Sequence, residues 1–181
     1  MNLNCKKQSK NHLFVIKWHM VLFLEGVDNM TNKNNEMKRQ PVKINLVTEI
    51  TGEQEEKVAQ FFEGSVYEDG ATLYLRYNEY MDGNEVRTTI KLMADRALII
   101  RRGAINMNLP LVPETTSVGT YETSQGKMRL ATKRTMIHRK QVTDRIYQIE
   151  LHYDLHSEDG QHSMGTFQMR FRIEEEITNE Y

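Results

Sequence analysis

From Val42 onward the chain alternates apolar and polar residues with a period of two. In VKINLVTEI, Val42, Ile44, Leu46 and Ile50 fall on one face, while Lys43, Asn45 and Glu49 fall on the other. That is the pattern of a half-buried strand. ATLYLRYNEY sets Leu73, Leu75 and Tyr77 against Tyr74, Arg76 and Asn78. VRTTIKLM sets Val86, Thr88, Ile90 and Leu92 against Arg87, Thr89 and Lys91. RIYQIELHYDL gathers Tyr147, Ile149, Leu151, Tyr153 and Leu155, and TFQMRFRI gathers Phe167, Met169, Phe171 and Ile173. β-Branched and aromatic residues dominate these runs, as a pleated, half-buried surface favours.

Turn-forming residues separate the runs: Glu68-Asp69-Gly70, Asp82-Gly83-Asn84, Ser124-Gln125-Gly126 and Ser157 to Gly160. They tolerate positive φ and make the local side-chain bonds that hairpins need. Short strands at this spacing predict an all-β sandwich or barrel. Only EQEEKVAQFF, Glu53 to Phe62, has the composition of a helix, and tertiary pairing can override that propensity.

Parity also carries candidate chemistry. Leu73, Leu75 and Tyr77 share the inward face, and Glu79 continues it toward the strand end; Arg101 follows Ile99 at the same parity, just before Gly103. Two arrangements fit. Glu79 and Arg101 form an ion pair at a barrel mouth with the Tyr77 hydroxyl nearby, or both reach solvent from strand ends. An isolated buried charge is costly enough that inward placement implies pairing.

The length of 181 residues suits one domain, and a net charge of -1 gives no electrostatic reason for a nucleic-acid or membrane partner. The single cysteine, Cys5, excludes a disulfide within the chain and suggests a reducing compartment. HLFVIKWHMVLFL, His12 to Leu24, is interrupted by Lys17 and His19 and is too short to span a membrane; no small-x-small cleavage site follows it. Glu25-Gly26-Val27 can be encoded as a bacterial ribosome-binding sequence ahead of Met30, with Met37 as a second start. Residues 1–29 therefore read as a leader translated in error, with a weak membrane anchor as the alternative. Residues 30–41 read as a polar disordered arm and 176–181 as a tail.

Three motifs invite stronger readings. His152, Asp154, His156 and His162 carry metal-binding atoms, but the first three lie opposite the apolar face of their strand, as a solvated polar face would. No metal site is assigned. GTYETSQGKM, Gly119 to Met128, lacks the spacing of a phosphate loop, and Met128 stands where the magnesium-binding hydroxyl belongs. Residues 127–145 carry Lys127, Arg129, Lys133, Arg134, Arg139, Lys140 and Arg145 against Asp144 alone. That run could bind RNA or another anion, yet it lacks stacking aromatics, so nucleic acid is not the favoured partner.

RYNEY (Arg76 to Tyr80), VRTTIKL (Val86 to Leu92), IIRRG (Ile99 to Gly103), TYETSQGKMRL (Thr120 to Leu130) and the Tyr153 strand, in this order, resemble the YwiB-like family of small uncharacterised bacterial proteins. The matching positions are Gly64, Tyr77, Glu79, Thr88, Lys91, Arg101, Gly103, Tyr121, Thr123, Gly126 and Tyr153. Ser124-Gln125-Gly126 replaces the Pro-aromatic-Gly that often follows the family's Tyr-x-Thr. The resemblance implies an all-β, calycin-like (lipocalin-related) antiparallel barrel, here over residues 42–175 with about eight to ten strands. It also implies a cytoplasmic protein with no established activity, and strand over helix near Glu55 to Phe62. With parity it makes Tyr77, Glu79, Arg101 and Tyr121 the candidate ligand-binding residues, and Gly64, Gly103 and Gly126 the candidate turn glycines.

Two functions lead. The first is a barrel that binds a small molecule inside or at its mouth. The second is a filled barrel that acts as a structural or protein-interaction module, such as a homodimer. Anion or RNA binding through residues 127–145 comes third. No catalytic constellation, cofactor motif or membrane span supports an enzyme or a membrane role.

Overall fold

Alternation along each strand leaves two faces, and the apolar one is removed from water when the sheet curls and closes on itself. The computed structural model describes residues 39–53 and 55–176. Its ten strands are β1 (Gln40–Thr51), β2 (Glu56–Asp69), β3 (Thr72–Met81), β4 (Asn84–Leu92), β5 (Ala97–Gly103), β6 (Asn106–Leu111), β7 (Ser117–Thr123), β8 (Gly126–Thr143), β9 (Ile146–Ser157) and β10 (Ser163–Glu175). Each pairs antiparallel with its chain neighbours, and β1 pairs with β10 to complete a closed barrel. The all-β antiparallel barrel read from the sequence is the observed fold.

Glu53 to Phe62 is mostly strand rather than helix, because residues 56–66 of β2 find partners along β1. β1 starts at Gln40, so the last two residues of the expected arm belong to the barrel; the Gln40 amide donates to the Glu176 carbonyl at 2.9 Å. The leader at 1–29, residues 30–38 of the arm and residues 177–181 lie outside the described residues. Asp82 and Gly83 both have positive φ (51° and 78°), the backbone that a two-residue hairpin loop requires.

The interior is filled in its lower part by Ile44, Leu73, Leu75, Ile90, Ile99, Leu109, Leu111, Ile149, Leu151, Phe171 and Ile173, all fully buried. Closure between β2 and β3 is short. Only the six pairs from Gly64↔Tyr77 to Asp69↔Thr72 join them. On the outer face this seam is reinforced by Tyr67 stacked on Tyr74 (centroids 4.6 Å), with Arg76 over Tyr67 at 5.0 Å and Lys91 over Tyr74 at 5.3 Å. Each such contact adds about 0.5–1.5 kcal/mol beyond simple burial.

Gly64 is not in a turn. It sits inside β2 at the top of the seam, where an added Cβ would lie 2.3 Å from the Arg76 carbonyl oxygen and 2.9 Å from Ile44 Cδ1. Gly103, with φ of +127°, closes β5, and a Cβ there would meet the Glu85 carbonyl at 2.3 Å. Gly126 opens β8 opposite Thr123, just beyond the Ser124-Gln125 turn. Gly64→Ala is expected to cost about 2–3 kcal/mol, since a rigid backbone oxygen must move. Urea unfolding with an unchanged m-value checks this; a loss below about 0.5 kcal/mol would show that the seam can open at no cost.

Candidate functional site: a buried polar row at the barrel mouth

Cross-strand register places Gly64, Tyr77, Thr88, Arg101, Met107 and Tyr121 in one row running from β2 to β7. The row lies above the apolar filling, toward the β3–β4 and β5–β6 turns. Glu79 stands two residues beyond Tyr77 on the same inward face, diagonal to Thr88. It is 1% exposed, so a water-excluded carboxylate sits near the rim.

Two donors answer that carboxylate. The Thr88 hydroxyl, itself fully buried, donates to Oε1, and Arg101 Nη2 donates to Oε2 at 3.3 Å. The Arg101 side chain is 13% exposed, so the arrangement is the inward ion pair rather than two charges in solvent. Tyr77 is clamped by Phe62, stacked at 4.7 Å, and by Phe171 at 6.4 Å. Tyr153 stacks on Phe167 at 5.4 Å, and its hydroxyl has only the Met169 sulfur, 3.8 Å away. Two donors in this cluster, the Tyr77 hydroxyl and Arg101 Nε, are buried with no partner among the described residues. Buried donors are ordinarily paired.

The surroundings shift the titrating groups. Burial, reinforced by Glu79, holds the Tyr77 phenol well above its ordinary range. Burial pushes Tyr153 up to about 12 and also raises Tyr121. Burial pulls the Arg101 guanidinium down, but Glu79 and the nearby tyrosines outweigh it, and the net shift is upward. The cluster therefore holds a guanidinium cation and neutral phenols.

Residues 42–171 match the family described as a domain of unknown function, DUF1934. The chain belongs to this family. A relative, the "Uncharacterized beta-barrel protein YwiB" of Bacillus subtilis (strain 168), is 27% identical over 122 residues, 67% of this chain and 85% of that protein. The crystal structure of the ywiB protein from Bacillus subtilis superposes with a TM-score of 0.67 at 24% identity, covering 77% of this chain and 94% of that one. The DUF1934 span includes every residue of the polar row and Glu79.

All four candidate ligand-binding residues face the same region. Tyr77, Glu79 and Arg101 are packed together, and half-exposed Tyr121 lies further along the row, within the electrostatic reach of Arg101. Thr88 and Tyr153 complete the cluster. They were visible as family positions, but only register shows that Thr88 stands between Tyr77 and Arg101.

The other motifs resolve differently. Asp154 lies on the outward face but is not solvated: it is 5% exposed and accepts hydrogen bonds from Arg134 and from the Thr166 hydroxyl at 2.7 Å. A β8 bulge between Lys133 and Met136, with Arg134 at φ +47°, brings that guanidinium over it. The basic run is largely answered from other strands. Lys127 meets Glu122 at 3.8 Å, Arg129 meets Glu158 at 3.0 Å and Arg139 meets Glu68 at 2.6 Å, while Arg134 meets Asp154. Gly119, from the rejected phosphate-loop match, lies inside β7.

Two outcomes follow. Arg101→Met leaves Glu79 buried without its cation and is expected to cost about 3–5 kcal/mol, whereas adding Glu79→Gln recovers much of that loss. A denaturant-based double-mutant cycle reads the coupling, and additivity would show that the two charges act separately. The raised tyrosine pKa values make the folded state favour the neutral phenol. An unfolded tyrosine ionises near 10. The contribution of Tyr153, up to ~3 kcal/mol, is therefore present below about pH 10 and lost between about pH 10 and 12. Stability measured against pH should fall in that window, and less steeply in Tyr153→Phe; an identical decline in the variant would place the effect elsewhere.

Proposed function

We propose that this protein binds a small molecule at the barrel mouth through an oxygen acceptor, a carboxylate in the first instance, received by Arg101 Nε and the Tyr77 hydroxyl. The observation that carries this reading is the pair of buried, unpartnered donors in one cluster. An acceptor supplied from outside would satisfy both. Arg101 meets Glu79 through one nitrogen, which leaves donor capacity on the guanidinium. Tyr121 and Phe167, half-buried, offer aromatic walls at the same level.

The apolar filling below the row limits the ligand to the mouth. This would be a lipocalin-like use of a calycin-like barrel, with the ligand held at the mouth above the apolar filling. The expected location is the bacterial cytoplasm. In support, the outward positions of β1 and β4 are polar or charged at Lys43, Asn45, Glu49, Arg87 and Lys91, the reverse of a lipid-facing barrel.

The test uses benzoate as an aromatic carboxylate probe, with inorganic phosphate alongside it. Benzoate should raise the melting temperature of the wild type, with the rise reduced in Tyr77→Phe and absent in Arg101→Met. Native mass spectrometry of protein purified from its own host should show a retained small molecule. No benzoate effect together with an empty protein would overturn the reading and favour a filled module. A response to phosphate alone would move the ligand class from carboxylates to phosphates.

A further inference from the structure

The short β2–β3 seam leaves part of the barrel wall open. Above Gly64, residues 56–63 of β2 pair with β1 on one side, and no described strand meets their other side. Residues 78–81 of β3 likewise pair only with β4. A row of unpaired N–H and C=O groups is a template for another strand. Proteins usually blunt such an edge with proline, a bulge or brevity. EKVAQFFE, residues 56–63, has no proline or glycine and keeps a regular register with β1 throughout. At its centre Phe61 is 77% exposed, the most exposed of the large apolar side chains described.

We propose that two copies of this chain join along this edge, β2 against β2, antiparallel about a two-fold axis. The sequence is self-complementary in that arrangement. Directly opposed residues on antiparallel strands point to the same side, so outward positions 57, 59, 61 and 63 must face one another. With Gln60 opposite its own copy, Lys57 faces Glu63, Ala59 faces Phe61 and Val58 faces Phe62, each twice by symmetry. A shift of two residues one way sets Lys57 against Phe61; the other way it sets Ala59 against Glu63. Among these in-phase registers, only the first opposes unlike charges and matches apolar residues on both faces.

The neighbours accommodate the contact. Phe61 of one copy, lying over Ala59 of the other, also reaches toward Val47, which pairs with Ala59 across β1. Lys57 now bonds Glu49 at 2.8 Å, but Arg170 holds the same Glu49 oxygen at 2.7 Å. Glu49 therefore keeps a cation when Lys57 turns to Glu63 of the second copy. Binding of this kind needs no rearrangement of the barrel, because the strand is already extended and regular.

Sedimentation and hydrogen exchange on the full chain test this. The wild type should be a dimer at about 100 µM, with the amides of residues 57–63 more protected than in dilute monomer. Lys57→Glu and Glu63→Lys should each weaken the dimer by about tenfold or more, since like charges then oppose each other twice. The double variant Lys57→Glu/Glu63→Lys should return to within a few-fold of the wild type, because the opposed pairs are recreated with signs exchanged. Far-UV circular dichroism confirms that each variant is folded. A wild-type monomer at that concentration would overturn the proposal, as would a dimer indifferent to the single changes or not rescued by the double one. A chain starting at Met30 that dimerises where the full chain does not would assign the edge to the preceding segment of the same molecule, and would also overturn it.

Discussion

Only six residue pairs join β2 to β3, and the molecule above them is shaped by where those pairs stop. Gly64 sets the stop. Its missing side chain lets the Arg76 carbonyl and Tyr77 approach, and beyond it β2 follows β1 while β3 follows β4. Below that point the inward face is continuous and apolar, as a filled barrel requires. At and above it Tyr77, Glu79, Thr88 and Arg101 occupy the inward face. A fully apolar row could have been stabilised by burial alone. This one must be stabilised by matched donors and acceptors, so its tolerance for change is lower.

Glu79 shows how that matching works. A carboxylate this deeply buried is costly unless it is both paired and hydrogen-bonded. Thr88 and Arg101 supply one donor to each of its oxygens. The cation is thereby fixed in direction, held by β5 and aimed across β4 at β3. What remains is an excess of donors, on Arg101 Nε and the Tyr77 hydroxyl. In most cores such atoms find a carbonyl; here the nearest row members are Met107 and more tyrosines. Arg101 Nε can only donate and the phenol can donate as well, so an acceptor is the group that could meet both.

Much of this was legible in the sequence, and the remainder failed for one physical reason. Parity put Tyr77, Glu79 and Arg101 on one face but left open whether Glu79 and Arg101 are buried or reach solvent. Side-chain direction in a strand depends only on local geometry. Register does not. Thr88 as the link between Tyr77 and Arg101, and Gly64 at a seam instead of a turn, appear only once strands are paired. The ion-pair partners of the basic run between 127 and 145 were hidden for the same reason. Within the chain it has only Asp144, but the sheet brings Glu122, Glu158, Asp154 and Glu68 to it. Asp154 was assigned to solvent by parity, correctly as to face. It is buried because a bulge at Arg134 folds a side chain over it, and no periodicity predicts a bulge. Glu53 to Phe62 had helical composition, yet the available β1 edge outweighed propensities that amount to tenths of a kcal/mol per residue.

The free edge and the mouth share a residue, and this joins the outer surface to the inner one. Phe62 belongs to the unpaired part of β2, yet its ring stacks on Tyr77 at 4.7 Å and so forms one wall of the polar cluster. A strand added along residues 56–63 would fix the backbone that carries Phe62, and through the stack it would steady the Tyr77 ring. A ligand that holds Tyr77 would in turn steady Phe62 and the edge. Thermodynamic linkage makes any such effect reciprocal and equal in free energy. Were both to occur, pairing at the edge and occupancy of the mouth would be coupled through this aromatic contact, positively where the Phe62–Tyr77 stack is the geometry both states prefer.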